Sequence, residues 1–200
     1  MEAQVPNDAV ALADLAGFSL AASVRPMGSK ITFLAGIARQ FGTKGMSPDY
    51  GGIASPDDRV AHLLDIPEIA ATPSTDLILV GSSMAGYVSC VASQSLHPAG
   101  LFLLAPAIGI DGYCLQNPSL GTDNVEIVMG WNDECIPVSK VFDFASRHKA
   151  RLHMIDGDHR LNSVLADVGF LFRGFLKRYF KKEASSLIQP GFAALNSRIQ

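Results

Sequence analysis

Short apolar runs alternate along the chain with amphipathic segments of helical length. Buried strands are predicted at residues 77–80, 100–104, 125–129 and 151–155, with a weaker strand within residues 44–50. Helices are predicted at residues 30–41, 56–66, 84–96, 137–148 and 161–182. This alternation indicates an α/β fold, a three-layer sandwich whose mostly parallel sheet has about six strands with helices on both faces.

The two ends of the chain follow this pattern less clearly. In residues 8–24, Ala and Leu favour a helix, whereas residues 18–24 also fit a short strand. Ser29 suits the N-cap of the next helix, and Gly42 suits its end. We expect one domain over residues 1–200, with an atypical segment at 1–24 and a loosely attached tail at 183–200.

Composition excludes several classes of protein. Two hundred residues suffice for one domain with a sizeable core. Hydrophobic residues make up 48% and charged residues 18%, which is typical of a globular chain rather than a disordered one. The formal net charge of −3 provides no basic field for nucleic acid, so no nucleic-acid partner is expected.

The apolar stretch at residues 9–24 predicts neither a leader nor a membrane span. It contains Asp14 and follows acidic residues, whereas a secretory signal needs a positive start. A span needs about 20 strongly apolar residues. The three cysteines, Cys90, Cys114 and Cys135, lack metal-ligand spacing and are interpreted as buried free thiols in a reducing compartment. We therefore expect a cytoplasmic protein with no membrane partner, metal or cofactor.

Ser83 follows the apolar run at residues 77–80 and is flanked by small residues. Gly81, Ala85 and Gly86 surround it, which nearly matches the G-x-S-x-G pattern of a nucleophile elbow. Such an elbow needs small neighbours because the serine is strained and other backbone approaches it closely. A turn serine without catalytic function is the simpler alternative for this motif alone.

Asp133 and His159 also lie just past predicted strands. Because the carboxyl ends of parallel strands share one edge of a sheet, Ser83, Asp133 and His159 are expected to meet there. An imidazole can take the serine proton during attack, while a carboxylate orients the imidazole. Asp133 also suits a turn or a helix cap ahead of Pro137, and Glu134 competes with it directly.

The remaining histidines fit this site less well. His62 and His148 lie on predicted helices and are expected to be solvated, His97 is expected at a helix end, and His153 is expected to pack within a strand. Asp156 and Asp158, which precede His159, suit a turn, although either could influence its pKa.

These motifs together resemble small single-domain α/β-hydrolases of the serine esterase type. The resemblance rests on residues 81–87, 129–137 and 157–161, with further likeness at residues 26–30 and 47–50. It covers most of residues 25–180. It implies the hydrolase fold, hydrolase activity and a triad, which is carried over to Ser83, Asp133 and His159.

The same resemblance implies an oxyanion hole made of two backbone N–H groups. Met84, which follows the nucleophile, is expected to supply one donor. Ser23 or Val24 is expected to supply the other, from the loop after the first strand, placed near Leu20 and Ala21. Relatives usually carry His-Gly in that loop, and this chain departs from them there.

The substrate is indicated only broadly. Residues 105–124, where a cap would be inserted, are too few for a full cap, so the site is expected to be open. Tyr113 and Leu115 are predicted to contact substrate, with Ile108 and Ile110 as further roof residues, although ordinary packing would explain all four equally well. A small ester or thioester with a short acyl chain is favoured. A thioesterase, a small peptidase and a weakly catalytic binding or signalling protein remain alternatives, and a homo-oligomer stays open.

Overall fold

Six parallel strands form one sheet in the computed structural model, which describes residues 9–13 and 29–188. The strands are β1 (Ala9–Ala13), β2 (Lys44–Met46), β3 (Leu77–Ser82), β4 (Gly100–Leu104), β5 (Val125–Asn132) and β6 (Arg151–Asp158). Their order is β2-β1-β3-β4-β5-β6, and every neighbouring pair is parallel. The predicted fold class is confirmed.

Helices connect these strands, close to their predicted positions. They are α1 (Ser29–Arg39), α2 (Pro56–Leu64), α3 (Pro67–Ala71), α4 (Met84–Leu96), α5 (Val138–His148) and α6 (Leu165–Ile188). The capping pattern explains α2, because Ser55 Oγ accepts a hydrogen bond from the Asp58 N–H at 3.2 Å, and Pro56 and two acids open the helix.

Several predicted boundaries were wrong. Helix α3 was not expected, because Pro67 suggested only a stop, whereas it occupies the first turn of a new helix. Ser29 is the first helical residue of α1 and not its N-cap. Helix α6 begins at Leu165 rather than at residue 161. It also continues to Ile188, into the segment predicted as a tail.

The beginning of the sheet also differs from the expectation. The first strand is β1 at Ala9–Ala13, where Ala and Leu favoured a helix, and it ends before residues 20–21, near which the loop after the first strand was expected. The alternative strand at residues 18–24 lies outside the described residues, as does the tail beyond residue 188.

The sheet buries both of its faces. Along β3, Leu77 and Leu79 pack on the side covered by α2, α4 and α5, while Ile78 and Val80 pack on the side covered by α1 and α6. This alternation follows from the pleat of a strand, and burial on both faces explains the continuous apolar runs.

One buried carboxylate interrupts the apolar face toward α6. Glu126 on β5 is 1% exposed. It accepts a hydrogen bond from Arg178 of α6, and its Oε1 lies 2.8 Å from His153 Nε2 on β6. These partners compensate the charge that burial would otherwise penalise. The expectation that His153 packs within its strand is thus refined, since its ring meets a charged partner.

The strand order reverses beside β3. The chain goes from β1 outward to β2 and then returns to β3 on the other side of β1. Ala13 at the end of β1 is level with Gly81. Ligands of parallel α/β sheets bind at the carboxyl edge where the order reverses, and Ser83 follows β3 at this point.

No helix within the described residues is long and apolar enough to cross a membrane.

Candidate active site

Ser83 occupies a sharp turn between β3 and α4. Its backbone has φ 55° and ψ −122°, a conformation that costs a non-glycine residue about 1–3 kcal/mol. Two hydrogen bonds hold this turn: Ser83 N–H donates to the carbonyl of Leu104 at the end of β4 at 2.9 Å, and the Ser83 carbonyl accepts from Ala107 N–H at 3.0 Å. The strain is thus maintained by the neighbouring strand.

Close contacts explain the small residues around Ser83. A Cβ on Gly81 would lie 2.3 Å from the Ala85 carbonyl oxygen, and a Cβ on Gly86 would lie 2.8 Å from Pro106 Cβ. Ala85 is fully buried within α4, where its methyl group joins the core. The departure from G-x-S-x-G at Ala85 therefore leaves the turn intact, because the close contacts fall at Gly81 and Gly86.

The three predicted residues form a continuous chain of hydrogen-bonding groups. Ser83 Oγ lies 3.0 Å from His159 Nε2, and His159 Nδ1 lies 2.8 Å from Asp133 Oδ2. The Asp133 carboxylate is 0% exposed, whereas the His159 side chain is 19% exposed. The imidazole therefore bridges a buried carboxylate and a hydroxyl at the carboxyl edge of the sheet.

The turn after β5 holds the Asp133 carboxylate from its other side. Asp133 Oδ1 accepts hydrogen bonds from the N–H groups of Cys135 at 2.9 Å and Ile136 at 2.8 Å. These bonds leave Oδ2 free to meet the imidazole. The fixed carboxylate can thus orient His159, a role that needs a defined geometry.

Close packing of β5 and β6 brings the His159 loop to Asp133. A Cβ on Gly130 would lie 2.2 Å from the Gly157 carbonyl oxygen, and the register shifts between Gly130 and Asn132. The Asp158 carboxylate accepts from Leu161 N–H at 2.8 Å, which closes the turn around His159. Asp158 is therefore a turn former, as the sequence favoured.

A second pair of contacts supports the same loop from neighbouring elements. Lys30 Nζ of α1 donates to the Arg160 carbonyl at 2.8 Å. Asn132 Nδ2 at the end of β5 donates to Asp156 Oδ1 at 3.0 Å. The position of His159 thus depends on α1, β5 and β6 together.

The competing residues stay outside this cluster. Glu134 is exposed, and His97 ends α4 in a left-handed conformation. His62 is half-buried with its ring edge against Tyr50. His148 is half-buried against Phe144, so the expectation of a solvated ring was wrong for both His62 and His148.

Only one of the expected oxyanion donors lies in the described part of the chain. Met84 is the first residue of α4, so its N–H has no acceptor within the helix. Ser23 and Val24 lie outside the described residues.

The segment between β4 and β5 forms no helix and no strand, and Tyr87 of α4 anchors it. Tyr87 O–H donates to Asp57 Oδ1 and accepts from Leu115 N–H, each at 3.2 Å. The rings of Tyr113 and Tyr87 meet edge to face, and their centroids lie 4.7 Å apart. Burial raises the pKa of both tyrosines, so their hydroxyls stay protonated at neutral pH.

This arrangement leaves part of the predicted roof exposed. Leu115 is 42% exposed and Tyr113 is half-buried, whereas Ile108 is 2% exposed and belongs to the core. The contact of Tyr113 and Leu115 with substrate stays a prediction.

Sequence reasoning missed Cys135 as a neighbour of the cluster, and the expectation of buried thiols was wrong for Cys114 and Cys135, which are exposed. One donor atom each from Asp133, Cys135 and His159 lie within 4.8 Å of one another. The Asp-x-Cys spacing beside a turn was the available signal, but the third donor arrives from a loop distant in sequence.

Comparison with known proteins identifies the fold. No protein-family model and no curated protein matches the chain. Among solved structures, a protein of the alpha/beta hydrolase superfamily from Xanthomonas campestris pv. campestris has a TM-score of 0.70 and 27% identity, covering 86% of this chain and 98% of its own. An α/β serine hydrolase without lid from Xanthomonas campestris has a TM-score of 0.68 and 22% identity, and the match covers 86% of this chain and 83% of that one.

A third similar structure is Est1E from Butyrivibrio proteoclasticus, with a TM-score of 0.68 and 16% identity, covering 88% of this chain and 90% of its own. The chain is thus a small protein with the α/β-hydrolase fold, and the resemblance drawn from its sequence is confirmed.

Proposed function

We propose that this chain is a serine hydrolase that cleaves carboxylic esters of small or short-chain acyl groups through an acyl-enzyme. The observation that carries the proposal is the continuous contact from Ser83 Oγ through His159 to Asp133, at 3.0 Å and 2.8 Å. Hydrogen bonding at these distances allows an imidazole to accept a serine proton during attack.

The reaction follows from the role of each group. Ser83 Oγ attacks the acyl carbon while its proton passes to His159 Nε2. The imidazolium then donates this proton to the departing alcohol. Water, deprotonated by the same nitrogen, releases the acid and restores Ser83. Asp133 keeps the proton of His159 on Nδ1, which leaves Nε2 free to act as base, and it stabilises the imidazolium.

The tetrahedral intermediate needs donors for its oxyanion. Met84 N–H is suited to this role because it follows the nucleophile at the positive end of α4. We propose that the second donor is a backbone N–H in the chain that follows β1, where Ser23 and Val24 are the candidates named from the sequence. Each such donor is typically worth about 10²–10³ in rate.

The segment between β4 and β5 favours small substrates. It contains no helix that would form a cap, and it is anchored to α4 through Tyr87. An open site buries little of a long acyl chain and so gains little binding energy from it. One of the similar solved structures is a serine hydrolase without lid, which agrees with an open site.

Two measurements on the same preparations test the proposal. The first is hydrolysis of p-nitrophenyl esters from acetate to octanoate, with a thioester substrate in parallel. The second is labelling by a fluorophosphonate probe, which reacts with activated serines. We expect Ser83→Ala to abolish both turnover and labelling. Ser82→Ala is the matched control, because Ser82 precedes the nucleophile and is 5% exposed.

The result that would overturn the proposal is turnover or labelling that survives in Ser83→Ala, or an unlabelled wild type with no turnover of any ester or thioester. The second result would favour a protein that uses this fold for binding.

A further inference from the structure

Cys135 lies beside the proposed active site with an exposed side chain. Donor atoms of Asp133, Cys135 and His159 lie within 4.8 Å of one another. We infer that these three side chains bind a thiophilic divalent cation of the Zn²⁺ type, and that this cation inhibits the enzyme reversibly. The binding site stands on geometry alone, whereas the inhibition rests on the proposed function.

The donor set matches the chemistry of zinc. One thiolate, one imidazole and one carboxylate are all common Zn²⁺ ligands, and a thiolate disfavours Mg²⁺ and Ca²⁺. Zn–S bonds of about 2.3 Å and Zn–N bonds of about 2.0–2.1 Å bring tetrahedral donors to within about 3.3–3.8 Å of each other. The donor atoms, which lie up to 4.8 Å apart, therefore have to approach one another by about 1 Å. A side-chain rotation can supply this movement. Water would complete the coordination.

The protein already orders most of this site. The Asp133 carboxylate is held by the N–H groups of Cys135 and Ile136, so the turn that presents the sulfur also fixes the carboxylate. His159 is held in the same place by its own turn, which Asp158 closes. Preorganised ligands lower the cost of binding a cation because fewer side chains have to be ordered.

Binding at this site interrupts the proposed proton relay in either geometry. A cation on His159 Nδ1 replaces the proton that this nitrogen shares with Asp133, and the neutral ring then carries its proton on Nε2, which can no longer accept one from Ser83. A cation on Nε2 instead occupies the lone pair that accepts the Ser83 proton. In both cases the ring no longer serves as a base, and the proton displaced from the thiol passes to water.

The other cysteines provide an internal comparison. Cys90 is buried, and burial raises the pKa of its thiol. Cys114 is exposed like Cys135, but its thiol is hydrogen-bonded to Asp57, which raises its pKa. Within the described part of the chain, Cys114 belongs to no cluster of donors that could hold a metal ion. Cys114→Ser is therefore the matched control for Cys135→Ser.

Binding is measured first, without reference to turnover. Chelator-treated Ser83→Ala protein is titrated with Co²⁺, whose bonds to thiolates give near-ultraviolet charge-transfer absorption. We expect this absorption in Ser83→Ala and in Ser83→Ala with Cys114→Ser. The absorption should be absent from the double variant Ser83→Ala with Cys135→Ser. In the two variants that bind Co²⁺, added Zn²⁺ should displace it and remove the absorption.

Inhibition is measured second, on chelator-treated protein carrying Ser83. Zn²⁺ should inhibit hydrolysis of p-nitrophenyl acetate in the wild type and in Cys114→Ser, and EDTA should restore the activity. With each variant normalised to its own metal-free rate, Cys135→Ser should need at least about tenfold more Zn²⁺ for half-inhibition, since even outer-shell changes weaken metal sites by about 10–100-fold.

The outcomes separate the two proposals. Cobalt–thiolate absorption that persists in the Cys135→Ser protein, or is missing from the Ser83→Ala protein, overturns the metal site. Equal Zn²⁺ inhibition of Cys135→Ser and wild type overturns the inhibitory role. Absorption that depends on Cys135 in a chain that hydrolyses no ester supports the metal site and removes the hydrolase assignment alone.

Discussion

The Asp133 carboxylate is completely buried, and its Oδ2 lies 2.8 Å from Nδ1 of His159. The neighbouring acid, Glu134, is exposed. Two adjacent carboxylates therefore have different environments, because the turn after β5 directs only one of them toward the imidazole. This difference allows the proposed role of Asp133 to be tested against a neighbour of the same charge.

Asp133→Asn should lower kcat for p-nitrophenyl acetate by about 10³–10⁴ while KM changes little. An amide can donate to Nδ1 and thereby favour the wrong tautomer of His159, as in serine proteases with the equivalent change. Glu134→Gln is the control and should retain wild-type kcat. Equal losses in both variants would mean that the charge of this loop matters, and not the orientation of His159.

Gly81→Ala should destabilise the elbow, because its Cβ would lie 2.3 Å from the backbone carbonyl oxygen of Ala85. Backbone cannot move aside cheaply, so we expect a loss of at least about 1–3 kcal/mol in the free energy of unfolding. Gly36→Ala is the control, because no atom other than those of its chain neighbours and the backbone of α1 lies within 4 Å of its Cβ position. That variant should gain about 0.5–1 kcal/mol. Urea unfolding followed by circular dichroism measures both changes, and similar effects from the two substitutions would contradict the packing argument.

Tyr87→Phe should loosen the segment between β4 and β5. It removes the hydroxyl that bonds Asp57 and Leu115, and one such hydrogen bond contributes about 0.5–1.5 kcal/mol. We expect faster hydrogen exchange at the Leu115 amide, a lower free energy of unfolding, and a higher KM for esters if Tyr113 and Leu115 contact substrate. Tyr113→Phe keeps the edge-on ring contact and should leave the exchange unchanged. Unaltered exchange in Tyr87→Phe would show that other contacts hold the segment.

His148 should make the fold less stable in acid. Burial lowers its pKa from the ordinary value of 6.5, Arg147 lowers it further, and the Pro118 carbonyl opposes the shift. The unfolded chain therefore binds the proton more readily. The contribution of neutral His148 to the free energy of unfolding is complete above about pH 6.5, and it declines as the pH falls toward the pKa of His148 in the folded state.

His148→Gln should remove this part of the pH dependence. Urea unfolding at pH 7.5 and pH 5.5 gives the loss of stability in acid for each protein, and that loss should be smaller in the variant. Arg147→Gln should also reduce the loss, since it removes a positive charge that lowers the pKa of His148. If His148→Gln loses as much stability between pH 7.5 and pH 5.5 as the wild type, groups other than His148 cause the loss.

Local sequence determined much of the site. The small residues around Ser83 indicated a strained turn, and the apolar runs before Ser83, Asp133 and His159 indicated strands that end at one edge. Both inferences depend on neighbouring residues alone: the size of a side chain beside a turn, and burial on both faces of a strand. The boundaries of α4 and β4 agree with their predictions for the same reason.

Tertiary structure decided the features that depend on partners distant in sequence. Ala9–Ala13 forms a strand because it lies between β2 and β3, which no property of its Ala-rich sequence specifies. The choice of Asp133 over Glu134 follows from the turn after β5 and from the close approach of Gly130 and Gly157. Cys135 meets His159 only because β5 and β6 are neighbours. The sequence thus determined which residues end the strands, while the packing of the sheet determined the distances between them.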